Sequence, residues 1–135
     1  MALERLAQGG LPVIVPLHPR TRKAFQGVGR VVEQVHIVPP VSYKEMLSLE
    51  ANARVILTDS GGVQKEAYWV GVPCITLREE TEWAETVVVG WNRLAGCNPD
   101  RIVETTYQVR PSNGRPPFYG DGHAAGHIVH HLVEA

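Results

Sequence analysis

Cysteine is scarce in this chain, which has two in 135 residues. Cys74 lies in an apolar run and Cys97 in a polar stretch, so there is neither a CxxC metal motif nor a disulfide framework. Cys74 reads as a small buried side chain and Cys97 as an incidental thiol. An excess of one charge is also lacking: a formal net charge of −1 gives no electrostatic case for nucleic acid or an acidic membrane. No apolar run approaches the roughly 20 residues of a membrane span. The opening residues, Met1 to Leu6, lack the basic start and apolar core of a signal peptide, so the expected location is cytoplasmic. There is no internal repeat and no low-complexity tract. What is present is ordinary for a globular chain. With 44% hydrophobic and 20% charged residues, it is apolar enough to build a core and is expected to form one domain over residues 1–135.

Short apolar runs alternate with segments of helical period. Leu3 and Leu6 are spaced for a helix over Ala2–Gln8 that ends at Gly9-Gly10. Strands are predicted at Leu11–Leu17, Val35–Val38, Val55–Thr58, Cys74–Leu77 and Trp91–Ala95. Ser42 and Glu45 form a capping box for a helix reaching Ala51. A helix from Gly61 is closed by Gly71 and Pro73, and Thr81 is expected to cap a short one before Gly90. Asn98-Pro99 starts another helix, to about Tyr107. A closing helix, Ala124–Val133, should turn Ile128, Val129 and Leu132 inward. Strands alternating with helices predict an α/β fold with a parallel sheet.

Chemistry concentrates in Asp59-Ser60-Gly61-Gly62-Val63-Gln64-Lys65-Glu66-Ala67. A buried strand precedes it, and Val63, Ala67 and Val70 mark one helix face after it. Asp59 or Ser60 caps the helix, while Gly61 and Gly62 leave the first-turn N–H groups unshielded. Such a strand–glycine–helix junction offers backbone donors and the positive end of a helix dipole to a phosphate. Glu66 is four residues after Gly62 on the same face, where it could accept from both hydroxyls of a ribose. The same residues also serve as nothing more than a helix-starting turn.

Other polar clusters are weaker. His18 follows the first strand at a sheet end where ligands collect, but also fits a solvated loop. Arg20, Arg22 and Lys23 read as a wet helix face. His123 and His127 share a helix face near Asp121, without the HExxH pattern, and are assigned no metal.

The string from Asp59 to Ala67, with Gly71-Val72-Pro73-Cys74 and Arg78-Glu79-Glu80-Thr81-Glu82-Trp83-Ala84-Glu85, closely resembles the non-hydrolysing UDP-N-acetylglucosamine 2-epimerases. Pro16–Lys23, Pro39–Tyr43 and Tyr119-Gly120-Asp121-Gly122 resemble further segments of that family, in order. The resemblance implies a Rossmann-like sheet with helices on both faces, one half of a glycosyltransferase-B-type architecture. It implies UDP or a UDP-N-acetylhexosamine as ligand and no cofactor. Ser60, Gly61 and Gly62 would hold the diphosphate, Glu66 the ribose, Val41 and Met46 the uracil, and His18 would line the sugar cleft. Trp83 stands where some members carry an arginine near the phosphates. Lys65 replaces a common glutamate and is expected on the wet face. Counterparts of the family's catalytic carboxylates and first strand are not found here, so the chain reads as a fragment or shortened homologue, catalytically silent alone. Loss of that strand should leave Leu11–Leu17 and Val55–Thr58 without their shared neighbour, giving a remodelled sheet or a homodimer. The alternatives are a non-catalytic dimerising module and half of a glycosyltransferase.

Overall fold

A computed structural model describes residues 1–17, 21, 35–111 and 114–134. His18 and the cluster of Arg20, Arg22 and Lys23 lie outside the described residues. The elements run α1 (Ala2–Gln8), β1 (Val13–Pro16), β2 (Val35–Val38), α2 (Tyr43–Ala51), β3 (Ile56–Thr58), α3 (Gly61–Val70), β4 (Cys74–Thr76), α4 (Ala84–Val88), β5 (Asn92–Leu94), α5 (Pro99–Gln108) and α6 (Ala124–Glu134). Every described strand pair is parallel, as strands alternating with helices predict.

The strands form two sheets, β1-β2 and β3-β4-β5. Val13 pairs with Val35 in the first; in the second, Ile56 pairs with Cys74, which pairs with Asn92. Among the described residues β1 and β3 each keep one edge without a partner strand.

Alternation along β4 builds a core on each face of the larger sheet. Ile75 meets Ala2, Ala95, Ile102 and Val109 on one side, from α1, α5 and the chain around them. Cys74 meets Ile56, Ala67 and Val72 on the other, against α3. Burial pushes the Cys74 thiol up to about 12, so it is an inert packing group. Ser42 and Glu45 form the expected capping box, and Asn98 accepts from the backbone N–H groups of Asp100 and Arg101.

α3 ends at Gly71, in the left-handed region at φ 78°. A methyl group there would lie 2.8 Å from Nη1 of Arg115, which donates to the Tyr68 and Trp69 carbonyls. Gly71→Ala therefore combines backbone strain with displacement of a cap, and is expected to cost about 1–2 kcal/mol in chemical denaturation. An unchanged midpoint would show that the turn relaxes freely.

Two expectations change and one is widened. α4 starts at Ala84 with Trp83 in the capping position, and Thr81 accepts from the Trp83 N–H without capping the helix. The Val63, Ala67, Val70 face packs on the core as its apolar residues mark, with Val63 and Val70 half-buried, and the buried surface of α3 extends further, to Gln64 and Tyr68. Ile128, Val129 and Leu132 of α6 are exposed, at 60%, 60% and 74%. An amphipathic pattern identifies the apolar face of a helix; it does not supply the surface that would cover it.

Candidate functional site

β3 delivers the chain to the start of α3 at the carboxyl end of the larger sheet. There the Thr58 hydroxyl accepts from the Ser60 N–H at 3.0 Å, and Ser60 Oγ accepts from the Val63 N–H at 3.5 Å. Ser60 is thus the N-cap, as one of the two candidates. Gly61 and Gly62 form the first turn, and a side chain at Gly61 would meet the Trp83 indole nitrogen at 3.2 Å. The glycine keeps open a narrow space between the helix start and that ring.

α3 is fixed to the sheet by buried polar side chains. Asn92 Nδ2 donates to Gln64 Oε1 at 3.1 Å, Thr81 Oγ1 donates to the same oxygen at 2.6 Å, and Thr76 Oγ1 donates to Asn92 Oδ1 at 2.8 Å. Gln64, Thr76 and Asn92 are each buried to within 1% of full burial. Hydrogen-bonded groups this deep hold a helix in one register, because sliding would orphan them. The sequence pattern did not identify Gln64 as buried. A polar residue between Val63 and Ala67 reads as outward until its partners on β4, β5 and the following loop are in place.

One turn along, a cavity of about 290 Å³ is lined by Tyr43, Gly62, Lys65, Glu66, Trp69 and Tyr119. Gly62 and Glu66, one turn apart, do share this space. Ser60 and Gly61 precede Gly62 at the helix start and are not among the lining residues. Val41 and Met46 are half-buried and not among the lining residues; Tyr43, from the same loop and helix, is. Lys65 is a correction: it is half-buried, lines the cavity, and holds its ammonium 4.4 Å from the Trp83 ring centre and 5.8 Å from that of Tyr119. The α3 face was assigned from apolar residues alone, and an aromatic partner two elements away is invisible to that reasoning.

Tyr119 closes the far side. Its hydroxyl donates to Glu85 Oε1 at 2.8 Å, and burial followed by that hydrogen bond raises its pKa. Gly120 and Gly122 turn the loop away at φ 82° and 91°. A second cavity of about 220 Å³ lies beside it, lined by Tyr68, Arg115, Phe118 and neighbours.

Beneath Glu66 is a carboxylate that sequence reasoning did not single out. Glu50 of α2 is 2% exposed, and neither of its oxygens has a hydrogen-bond partner. Burial, with the Glu66 charge adding to it, pushes its pKa up to about 7. The Tyr43 phenol is raised as well, by desolvation first and then by Glu66.

The site therefore combines a capped, glycine-rich helix start, a carboxylate one turn inside, and an aromatic wall carrying a lysine. A family model described as UDP-N-acetylglucosamine 2-epimerase matches residues 1–133. The chain belongs to that family. A UDP-N-acetylglucosamine 2-epimerase homolog of Methanococcus maripaludis is 46% identical over 87% of this chain and 34% of its own length. The UDP-2,3-diacetamido-2,3-dideoxy-D-glucuronate 2-epimerase of Pseudomonas aeruginosa is 42% identical over 98% of the chain and 38% of its own length. The solved UDP-GlcNAc 2-epimerase of Methanocaldococcus jannaschii superposes with a TM-score of 0.84, at 37% identity, over 98% of this chain and 38% of that one. The same enzyme in complex with UDP-GlcNAc and UDP gives 0.81. The chain thus spans little more than a third of these epimerase relatives, with the Rossmann-like α/β fold of one part of their glycosyltransferase-B-type architecture. Among the described residues no helix is long and apolar enough to cross a membrane.

Proposed function

We propose that this chain is the UDP-binding portion of a UDP-N-acetylglucosamine 2-epimerase. The observation that carries the reading is the single cavity shared by Gly62 at the helix start and Glu66 one turn inside. Phosphates placed on the N–H groups of Gly61 and Gly62 and on the Ser60 hydroxyl leave an attached ribose opposite Glu66, whose carboxylate accepts from both hydroxyls. A UDP-sugar satisfies both, and the solved relative named with UDP-GlcNAc and UDP supports that ligand class. His18, Val41 and Met46 remain proposed for the sugar cleft and uracil on the resemblance alone.

Inverting a sugar carbon next to a leaving nucleotide needs a base on one face of the ring and a proton donor on the other. Within the described cavity the only carboxylate lining is Glu66, already committed to the ribose. We therefore expect this chain by itself to bind and orient the nucleotide without epimerising it.

Calorimetric titration with UDP tests the reading. Saturable binding is expected, weakened about 10- to 100-fold in Glu66→Ala, the scale of hydrogen bonds to a charged group. Deoxy-UDP should bind less well than UDP to the parent chain and equally to the variant. No saturable binding, or indifference to the ribose hydroxyls, would remove the nucleotide reading. The open edges of β1 and β3 favour a second reading beside it, association of two copies, because an edge's unpaired N–H and C=O groups are a template for a strand of another chain. A light-scattering mass of one chain across the micromolar range would discard it.

A further inference from the structure

We infer that Lys65 supplies the cation of the phosphate site, with Trp83 as its shelf and as a second donor. This rests on the nucleotide reading above and adds two residues to it.

Lys65 Nζ lies over the face of the Trp83 ring at 4.4 Å, with the Tyr119 ring at 5.8 Å. A cation over an aromatic face is held by the ring quadrupole while its N–H bonds remain available to another partner. Among the described residues no carboxylate lies within ion-pair distance of Lys65, although Glu66 is its neighbour in sequence. Its ammonium is therefore positioned by rings rather than neutralised by an acid, in a cavity shared with Gly62.

The indole uses its edge differently from its face. Trp83 Nε1 is buried without a hydrogen-bond partner, an uncommon state for an N–H group. It lies 3.2 Å from where a Gly61 side chain would begin, so the indole nitrogen sits against the helix start. Glu82 and Arg78, also at this end, are paired with each other at 3.0 Å. Lys65 in the cavity lining, the Trp83 N–H against the start of α3 and the first-turn amides beside it are thus donors gathered at one end of the helix. An anion carrying two phosphate groups, as in a nucleoside diphosphate, has the oxygens to take them all; a neutral nucleoside does not.

The experiment is calorimetric titration of the chain with UDP, uridine and inorganic pyrophosphate at low and high salt, comparing Lys65→Met, Trp83→Phe and Glu66→Ala. Lys65→Met keeps the stem on the ring and should weaken UDP and pyrophosphate about tenfold, leave uridine unchanged and flatten the salt dependence. Trp83→Phe keeps a ring under Lys65 but loses the N–H, and should weaken UDP about three- to tenfold. UDP affinity unchanged in Lys65→Met, or an equal loss for uridine, overturns the inference. The ribose assignment fails separately, by Glu66→Ala leaving UDP unaffected while Lys65→Met still weakens pyrophosphate. Failure of the parent chain to bind either UDP or pyrophosphate overturns both.

Discussion

Ile75→Ala is expected to destabilise the chain by about 3–4 kcal/mol, a loss that would consume much of a typical domain's stability. Ile75 is fully buried in β4, and its side chain is surrounded by Ala2, Ala95, Ile102 and Val109. Three of those neighbours come from α1, α5 and the end of β5, so the residue joins separate layers of the structure. The strands on either side of it are held by ladder hydrogen bonds and cannot close in on the space left. Both the lost transfer energy and a residual cavity then count against the folded state. Ile75→Val removes one methylene and should cost about 1 kcal/mol at the same site. Guanidinium unfolding checks this through the shift in midpoint at unchanged slope. A loss for Ile75→Ala no larger than that for Ile75→Val would mean that the core around β4 collapses freely, contrary to the packing described.

Glu50→Gln should do the opposite and stabilise the chain at neutral pH. Glu50 is buried against the Glu66 charge with no hydrogen bond to either oxygen, and its pKa rises to about 7 from an ordinary 4.5. Its charge is felt by Tyr43 on its own helix and Cys74 on β4, and the charge it feels itself is that of Glu66 on α3. The sign follows from proton counting. Between those two pKa values the folded chain binds more protons at this site than the unfolded chain. The contribution of Glu50 to stability therefore falls as pH rises through that window and is flat above it. Glutamine keeps the shape without the charge. The variant should match the parent at about pH 4, where Glu50 is protonated in both states, and exceed it by about 1–3 kcal/mol at about pH 8. Taking the difference between variant and parent cancels the acid response of the remaining carboxylates. A difference that stays constant from about pH 4 to pH 8 would show that Glu50 is not the buried proton-holding group.

Much of this architecture is legible in the sequence because it is local. α1, β2 and α2 occupy the predicted residues, since a capping box, a glycine stop or a short β-branched run act within a few positions. The proximity of Gly62 and Glu66 follows from helical periodicity alone, and so was also predictable. The family is readable from the Ser60 and Trp83 regions because those strings are long and ordered along the chain.

What only the tertiary structure decided are the matters of partnership. Val63 and Val70 mark an apolar face and pack half-buried against the core, but α3 buries Gln64 and Tyr68 more deeply, because Thr81 and Asn92 donate to the amide oxygen and the aromatic cluster of Trp91, Phe118 and Tyr119 receives the ring. Ile128, Val129 and Leu132 form an apolar stripe, and nothing among the described residues covers it. Lys65 is polar, and only the position of Trp83 draws it into the cavity. Glu50 is one of several helix glutamates, and only the packing of α2 on α3 denies it water. Sequence by itself determined where most elements start and stop and which of their faces is apolar, since those depend on neighbours along the chain. Burial and charge state depend on neighbours in space, which the chain acquires only on folding.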